Sequence, residues 1–378
     1  MRCMQYRVIS FYRYVRIEQP EEMRDSIRTY CEEHSILGRI LIATEGINGA
    51  VSGTEEEIRA FQHYLAENPL FAQLTFREQV ADVNTYHKLV VRVRSEIVRF
   101  GVPVRFEKPG THLSPVELEK WYSTSEDFVI IDARNEYEYD VGRFKNAVKL
   151  PIENFREFPR MVTELEKYKS KKMVLYCTGG IRCEKASAYL KEQGFDSVYQ
   201  VEGGVINYVN QYPNAHWEGG LFVFDDRLVS DVGDAITTCK YCGVAESQYM
   251  NCHNLDCDEL FICCEKCSEQ MRRCCSAECM ASPRQRKVIE TKKYAQIGVI
   301  ENYYAKANVV LVKMNLSAVS FPLKVMIKGK TTAEFEYEIQ YAHNAEGKEI
   351  TTASEGEIIT FPLSQKVRRH DVVLLASI

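Results

Sequence analysis

Residues 176–183 read YCTGGIRC, and the fold that we predict for this chain is organised around them. The apolar run Met173–Tyr176 predicts a buried strand that ends at Cys177, and Glu184–Glu192 predicts a helix. A cysteine between a strand and a helix lies near backbone N–H groups and the positive end of the helix dipole, and both favour its thiolate. We therefore predict that Cys177 is a reactive nucleophile.

The rest of the loop is predicted to support this anion. Arg182 can add a fixed positive charge, and it is the second predicted catalytic residue. The other predicted members of the active-site loop are Thr178, Gly179, Gly180, Ile181 and Cys183. Cys183 should lie in the first turn of the helix, either as a packed thiol or as a resolving cysteine. The two glycines let the backbone fold beneath the sulfur, a layout that also suits a persulfide. The alternative is a buried structural cysteine at an ordinary strand–helix turn.

Two segments together resemble the rhodanese family. The sequence CTGGIRC after a strand is similar to the six-residue active-site loop of rhodaneses, and residues 129–147, VIIDARNEYEYDVGRFKNA, resemble the signature upstream of it. Arg143 stands where many rhodaneses have histidine. The resemblance implies supporting roles for Asp132 and Arg134. Strands alternate with helices here, with one helix predicted after Asn154, so we expect a parallel sheet with Cys177 at the carboxyl end of a strand.

The first hundred residues also alternate strand and helix signals. Strands are predicted at Tyr6–Tyr14, Gly38–Thr44, Ala50–Val51, Leu74–Arg77 and Leu89–Val93, with a turn at Glu45–Gly49. One helix is predicted to begin at Pro20, and a capping box of Thr54 and Glu57 predicts the other. This order predicts a ferredoxin-like or acylphosphatase-like domain. Glycine and proline between Glu96 and His112 predict a linker.

A more specific resemblance begins in this part of the chain. Residues 38–54, GRILIATEGINGAVSGT, and residues 91–98, VRVRSEIV, are similar to segments of the tRNA uridine hydroxylase family, and the likeness extends over residues 5–287. It implies hydroxylation of the wobble uridine of tRNA to 5-hydroxyuridine, with molecular oxygen as co-substrate and the anticodon region as partner. No motif for an organic cofactor is evident. The alternatives are a sulfurtransferase that uses thiosulfate or a persulfide, and a non-catalytic RNA-binding adaptor.

The cysteines predict a second kind of site. Ten of the fourteen lie close together, at Cys239, Cys242, Cys252, Cys257, Cys263, Cys264, Cys267, Cys274, Cys275 and Cys279. Closely spaced cysteine pairs suit tetrahedral zinc, so we predict one to two structural zinc ions, with His253 as a spare ligand. Two four-thiolate sites would leave two cysteines over, and the spacing does not fix which thiolates share an ion. Free buried thiols are the alternative, but this short polar segment could not fold on its own core.

The end of the chain has a different character. Residues 264–293 contain eight Lys or Arg against four Glu, which indicates either a solvated surface or a phosphate-binding patch. Strand-like runs at Val309–Val312, Leu323–Ile327, Phe335–Ile339 and Val372–Leu375 then predict a β-barrel. The segments IGVIENYY (297–304) and GKTT (329–332) resemble the second-domain barrel of elongation factor Tu, in the form appended to collagenase-like peptidases.

The apolar content and net charge of the whole chain predict its compartment and its kind of partner. No run of about eighteen apolar residues is present, and the first residues lack a signal-peptide core, so we expect a cytoplasmic protein without membrane contact. The net charge of −5 does not indicate a nucleic-acid partner, so any RNA contact should use local patches. We predict a multidomain α/β protein with a ferredoxin-like domain (1–100), a rhodanese domain (113–217), a cysteine-rich zinc module (218–290) and a C-terminal β-barrel (294–378).

Overall fold

The computed structural model describes residues 6–105, 109–213, 215–286, 294–315, 319–329 and 332–376. The chain divides into two compact units. One contains Arg7–Val80 and Asn84–Lys287, and the other contains Met1–Tyr6, Ala81–Val83 and Val288–Ile378. The four predicted domain ranges stay predictions, since this division is coarser.

The first part of the larger unit is a five-stranded sheet with two helices. Its elements are β1 (Tyr6–Tyr14), α1 (Pro20–Glu33), β2 (Leu37–Ala43), β3 (Gly46–Thr54), α2 (Glu55–Glu67), β4 (Phe76–Ala81) and β5 (Leu89–Val93), with a 3-10 turn at Pro69–Phe71. The sheet order β4-β1-β3-β2-β5 contains the ferredoxin-like arrangement, with β5 added parallel to β2. This agrees with the predicted fold class. The predicted capping box of Thr54 and Glu57 is confirmed.

The predicted turn at Glu45–Gly49 is wrong in extent. The strand β3 already begins at Gly46, which has a φ of +146° and lies so close to β1 that a Cβ there would be 2.0 Å from the carbonyl oxygen of Arg13. A Cβ at Gly49 would be 2.5 Å from the ring of Phe11. These glycines are needed for close packing between strands, which a local turn signal does not distinguish from a loop.

A parallel sheet follows. Its region contains β6 (Thr111–Leu113), α3 (Pro115–Ser123), β7 (Phe128–Asp132), α4 (Glu136–Val141), β8 (Gly142–Phe144), α5 (Val162–Leu165), β9 (Lys172–Tyr176), α6 (Ile181–Glu192), β10 (Val198–Val201), α7 (Gly204–Gln211) and β11 (Trp217–Gly219). The sheet order is β6-β10-β9-β7, and all three pairings are parallel, as predicted. Two apolar cores include buried residues of this sheet, one containing Leu175 and Leu190 and the other Val174 and Val205.

Three predictions in this region need correction. The helix α6 begins at Ile181 rather than Glu184, so Arg182 and Cys183 lie in its first turn. The helix expected after Asn154 is mainly a 3-10 helix, Phe155–Met161, because Pro159 lies inside it. The predicted linker is also partly integral to the fold, since β6 pairs with β10 and Phe100 is fully buried in a core. A three-residue strand is too short to be recognised by periodicity.

The cysteine-rich segment has little regular structure. It contains β12 (Leu221–Phe222), β13 (Val229–Ser230), β14 (Tyr249–Asn251), β15 (Leu260–Ile262), α8 (Glu265–Gln270) and α9 (Ala277–Ala281). Its buried cluster consists of cysteines around Phe261. Such a core buries little carbon, so the segment needs cross-links to hold its shape.

The smaller unit is a curled antiparallel sheet. Its strands are β16 (Tyr294–Tyr304), β17 (Val309–Met314), β18 (Val319–Ser320), β19 (Leu323–Lys328), β20 (Phe335–Ile339), β21 (Ala342–His343), β22 (Glu349–Ile350), β23 (Thr352–Ala353), β24 (Ile358–Pro362) and β25 (Val372–Ala376). Eight strands form one sheet, β20-β19-β25-β16-β17-β24-β21-β22, around a single core. Register shifts in β16 help it to bend. The sheet corresponds to the predicted barrel, although Lys330 and Thr331 of the GKTT segment lie outside the described residues.

Candidate active site

The loop after β9 holds Cys177 beneath the start of α6. The backbone N–H of Gly180 donates to the Sγ of Cys177 at 3.1 Å. Gly180 adopts a φ of +99°, and a Cβ there would lie 2.8 Å from the hydroxyl oxygen of Tyr12. Glycine is therefore required at this position for both backbone conformation and space. The loop carbonyls of Cys177 and Thr178 accept hydrogen bonds from the first N–H groups of α7.

The environment of Cys177 favours its thiolate. Burial alone would raise the pKa of this thiol, but hydrogen bonding from the Cys183 thiol, the charge of Arg182 and nearby N–H groups lower the pKa to about 5. The pKa of Cys183 moves the opposite way, because its thiol is buried beside the Cys177 anion. Cys177 is fully buried, so its sulfur is activated electrostatically but has no open path to bulk water in this conformation.

Arg182 is held by a carboxylate that the sequence prediction omitted from the site. Its guanidinium donates to both oxygens of Glu138 at 2.6 and 2.7 Å, and it also donates to the hydroxyl of Thr178 at 3.1 Å. Thr178 in turn donates to Glu138 at 3.1 Å. Burial acts to raise the pKa of Glu138, but the Arg182 charge outweighs this effect and the pKa lies below its ordinary value. The pair thus fixes Arg182 beside the loop.

The predicted supporting pair lies behind this site. Arg134 is fully buried and donates to the Asp132 carboxylate at 2.6 Å and to the carbonyl oxygen of Gly142 at 2.7 Å. Its guanidinium also lies 5.1 Å from the centre of the Trp217 ring. These contacts tie the end of β7 to β8 and β11. Asp132 and Arg134 therefore have the geometry of scaffold residues.

Side chains from the first sheet reach the same loop, which the sequence prediction did not anticipate. Tyr12 donates to Glu184 at 3.1 Å, and Glu184 also accepts from His112 at 3.0 Å. Arg77 lies over the ring of Tyr12 at 4.7 Å and donates to the carbonyl oxygen of Gly203 at 3.3 Å. Tyr12 lies in β1 and Arg77 lies in β4, both far from the loop in sequence, so only the fold brings these two side chains to it.

A cavity of about 460 Å³ opens between the first sheet and the active-site loop. Cys177, Thr178, Gly179, Ile181 and Arg182 contribute to its wall. Such a volume is within the range of small-molecule and cofactor sites. The cavity is the place where a substrate could meet the sulfur after a local opening.

The cysteine-rich segment forms two separate thiolate groups. Within each group the four sulfurs lie within 4.8 Å of one another, the groups being Cys239, Cys242, Cys264 and Cys267, and Cys252, Cys257, Cys275 and Cys279. The Cys242–Cys264 and Cys257–Cys275 sulfur distances are 3.7 and 3.6 Å. Four sulfurs at about 2.3 Å from a zinc ion would be separated by about 3.8 Å, so the groups fit a tetrahedral ion. Each group consists of two cysteine pairs that are close in sequence, and along the chain the first and third pairs belong to one group and the second and fourth to the other.

Eight of the ten predicted cysteine ligands fall into these two groups. Cys263 and Cys274 lie outside both groups, and His253 also belongs to neither. Both cysteines are buried in the cluster around Phe261, where a thiol packs as a small apolar group. Sequence spacing could not separate them from the ligands because each is adjacent to a cysteine that does belong to a group.

The predicted basic stretch is partly neutralised. Arg284 forms an ion pair with Asp256, and Arg286 forms one with Asp258. Lys287, Lys292 and Lys293 lie outside the described residues. Arg284 and Arg286 therefore give less support to a phosphate-binding patch than the sequence count indicates.

Comparisons with known proteins agree with this architecture. Three family profiles match: the UPF0176 acylphosphatase like domain at residues 6–97, the Rhodanese-like domain at 114–211 and the Rhodanase C-terminal at 218–280. A tRNA uridine(34) hydroxylase of Cytophaga hutchinsonii is 42% identical over 76% of this chain and 94% of that protein. A tRNA uridine(34) hydroxylase of Bacillus pumilus is 39% identical over 80% and 98%.

A solved C-terminal domain of a Geobacillus thermoleovorans putative U32 peptidase is also similar. It is 15% identical, covers 21% of this chain and 95% of that chain, and has a TM-score of 0.20. This score is too low for any inference about the C-terminal unit.

The fold and the loop thus define a rhodanese-type protein with an acylphosphatase-like domain and a cysteine-rich extension. Within that class, the identity to curated relatives over nearly their whole length is decisive. The chain belongs to the tRNA uridine(34) hydroxylase family. Among the residues that the structure describes, no helix combines the length and apolar character needed to cross a membrane.

Proposed function

We propose that this protein hydroxylates uridine 34 of tRNA to 5-hydroxyuridine, with Cys177 as the reacting thiolate. The observation that carries the proposal is the Cys177 thiol itself, whose pKa of about 5 makes it an anion at neutral pH beside a cavity. Membership of the family gives the substrate and the type of reaction. The anticodon region is the proposed contact on the RNA, and the cytoplasm is the proposed compartment.

The loop residues have distinct roles in this proposal. Arg182 and the N–H of Gly180 stabilise negative charge on the sulfur, while Thr178 and Glu138 hold Arg182 in place. Asp132 and Arg134 keep the strand ends in register. Molecular oxygen is the proposed co-substrate, and no organic cofactor is invoked. Reduction of the second oxygen atom to water takes two electrons and two protons, which a cellular thiol reductant supplies in this proposal.

Zinc is the proposed ion for both thiolate groups. The sulfur separations and the four-cysteine composition support this choice. Each ion would cross-link two cysteine pairs that lie apart in sequence, and so would stabilise a segment with a very small apolar core. Both ions are structural in this proposal, and no step of the reaction involves them.

The experiment is complementation in cells that lack the hydroxylase. The wild-type protein should restore 5-hydroxyuridine in tRNA, measured by mass spectrometry of nucleosides from aerated cultures, and Cys177→Ala should not. Full restoration by Cys177→Ala would rule out the thiolate mechanism. The control is Cys31→Ala, since Cys31 is a buried thiol of α1 in another core.

A sulfurtransferase is the second candidate, because the same N–H groups and Arg182 could hold the outer sulfur of a persulfide. The two reactions differ in product. A hydroxylase adds one oxygen to the nucleoside, whereas a sulfurtransferase yields a thiolated acceptor. The same mass spectra therefore decide between them, and an RNA-binding adaptor would need no thiolate at all.

A further inference from the structure

The cavity above Cys177 has two buried polar groups without partners. Within the described part of the chain, the Oγ of Ser10 and the Nη1 of Arg77 are shielded from solvent and form no hydrogen bond. Both side chains lie beside the active-site loop, since a Cβ built on Gly179 would be 3.9 Å from Ser10 Oγ and from Arg77 Cδ. Leaving a buried polar group without a hydrogen-bond partner is unfavourable, so these groups indicate a ligand with polar edges.

The wall and rim of the cavity carry the other groups that a nucleotide needs. Phe224 is 56% exposed at the cavity, and its ring lies 5.6 Å from the Arg182 guanidinium. Arg39, Arg99 and Arg156 also line the cavity and are exposed. No carboxylate in the described residues forms an ion pair with any of the three. An exposed aromatic ring beside uncompensated arginines is the usual combination for an unstacked base and its phosphates.

We propose that the cavity binds one pyrimidine nucleotide extruded from an RNA loop. Ser10 and Arg77 hydrogen-bond the edge of the base, Phe224 stacks on its face, and Arg39, Arg99 and Arg156 bind the flanking phosphates. This inference rests on the proposed function, and it adds the binding site. It assigns recognition of the base edge to Ser10 and Arg77 of the first domain, while the thiolate comes from the parallel-sheet domain.

The size and chemistry of the cavity favour this ligand over a small anion. A volume of about 460 Å³ exceeds what thiosulfate needs and fits a nucleotide. A base must leave its stack before a buried group can react with it, and an anticodon loop makes this step inexpensive because its bases are unpaired. Once a local opening exposes these groups, the Arg77 guanidinium can donate to a uracil carbonyl, and the Ser10 hydroxyl can accept from the ring N–H.

Photocrosslinking tests the site without relying on turnover. An anticodon stem-loop with 4-thiouridine at position 34 is irradiated with the full-length protein under anaerobic conditions, and the crosslinked peptide is identified by mass spectrometry. We expect attachment within β1, β4 or the segment around Phe224. The matched control carries 4-thiouridine in the stem. Attachment of the position-34 probe only to residues 239–286 or to the C-terminal unit would overturn the proposal.

Variants test the individual contacts. Phe224→Ala should raise the KM for the stem-loop by about tenfold, the order expected for loss of one stacked base, while Phe224→Tyr keeps the ring and should stay near wild type. Arg39→Ala should weaken binding and reduce its dependence on salt. Arg16→Ala is the control, because Arg16 is an exposed arginine of the same domain outside the cavity.

Failure of this inference is distinguishable from failure of the proposed function. If the wild-type protein forms no 5-hydroxyuridine but the probe still attaches to the cavity, the binding site stands and the reaction is wrong. If hydroxylation occurs and both Phe224→Ala and Arg39→Ala keep the wild-type KM, the reaction stands and the binding site is wrong.

Discussion

The Glu138 carboxylate and the Arg182 guanidinium form a buried two-point ion pair beneath the active-site loop, with nitrogen–oxygen distances of 2.6 and 2.7 Å. Glu138 is fully buried and Arg182 is 6% exposed. The pair partly neutralises the charge that would otherwise act on Cys177. Arg182 therefore acts on the Cys177 sulfur both as a positive charge and as the positive end of a fixed dipole, whose negative end is the Glu138 carboxylate.

Breaking this pair should affect stability and thiol chemistry differently. Glu138→Gln or Arg182→Met leaves one buried charge without its partner, so each should reduce the free energy of unfolding by about 3–5 kcal/mol. The double variant removes both charges and should recover part of this loss. Urea unfolding of the wild type, the two single variants and the double variant measures the coupling free energy between Glu138 and Arg182. Equal losses in the single and double variants would contradict the account.

The same variants should separate on the pKa of Cys177. Arg182→Met removes a positive charge near the sulfur, so the pKa of the thiol should rise. Glu138→Gln removes a negative charge and should not raise it. Thiolate absorbance against pH measures both, with Cys177→Ser as the blank. If the pKa of Cys177 rose in Glu138→Gln but not in Arg182→Met, the conclusion that Arg182 lowers this pKa would be wrong.

The metal content should be two zinc ions per chain. Cys239→Ser should reduce it to one, because Cys239 belongs to the first thiolate group, whereas Cys263→Ser should keep two. The two residues are both buried, so the comparison controls for burial. Elemental analysis of protein purified without chelator is the measurement. Iron in place of zinc, or equal loss in both variants, would contradict the assignment.

The place of the loop in the fold could be predicted better than its surroundings. Cys177, Arg182 and the glycines lie in one continuous segment between a strand and a helix, so local patterns are sufficient to locate them. Glu138 was visible only as part of a motif, because nothing local marks a glutamate in a short helix as buried. Tyr12 and Arg77 could not be predicted, since their strands meet the loop only through the packing of two sheets.

The metal ligands illustrate the same limit. Closely spaced cysteine pairs predicted thiolate sites, but adjacent cysteines such as Cys263 and Cys264 differ only in the side of the backbone from which the sulfur projects. The structure places Cys264 in a group and Cys263 in the small core. Successive cysteine pairs along the chain belong to the two groups in turn. This assignment depends on the three-dimensional path of the chain, so sequence spacing alone does not determine it.

Removal of the C-terminal unit should separate RNA affinity from thiol chemistry. The unit has its own core and is a distinct compact body, so a chain ending after residue 290 should keep the Cys177 site folded. We expect weaker tRNA binding with an unchanged pKa of Cys177. Filter binding and thiolate titration measure the two properties. Unaltered tRNA affinity in the shortened protein would refute the RNA role and favour a protein partner.

The reactivity of Cys177 should depend on pH in a way that no ordinary thiol shows. Its pKa of about 5 means that the anion predominates above that pH, so the alkylation rate should be half-maximal near pH 5 and level above about pH 7. Burial will make the absolute rate slow, but the shape of the profile reports the anion. Cys31 provides an internal control, because burial raises its pKa to about 12.

The neighbour Cys183 supplies the sharpest version of this test. Its thiol hydrogen-bonds the Cys177 anion, so Cys183→Ala should raise the pKa of Cys177 and shift the alkylation midpoint to higher pH. Cys183→Ser keeps a donor of similar size and should shift it less. If Cys183 acts as a resolving cysteine, both variants should also lose activity, since serine cannot form a disulfide. If it is only a packed donor, the serine variant should keep activity, and peptide-level mass spectrometry with the tRNA assay distinguishes the two outcomes.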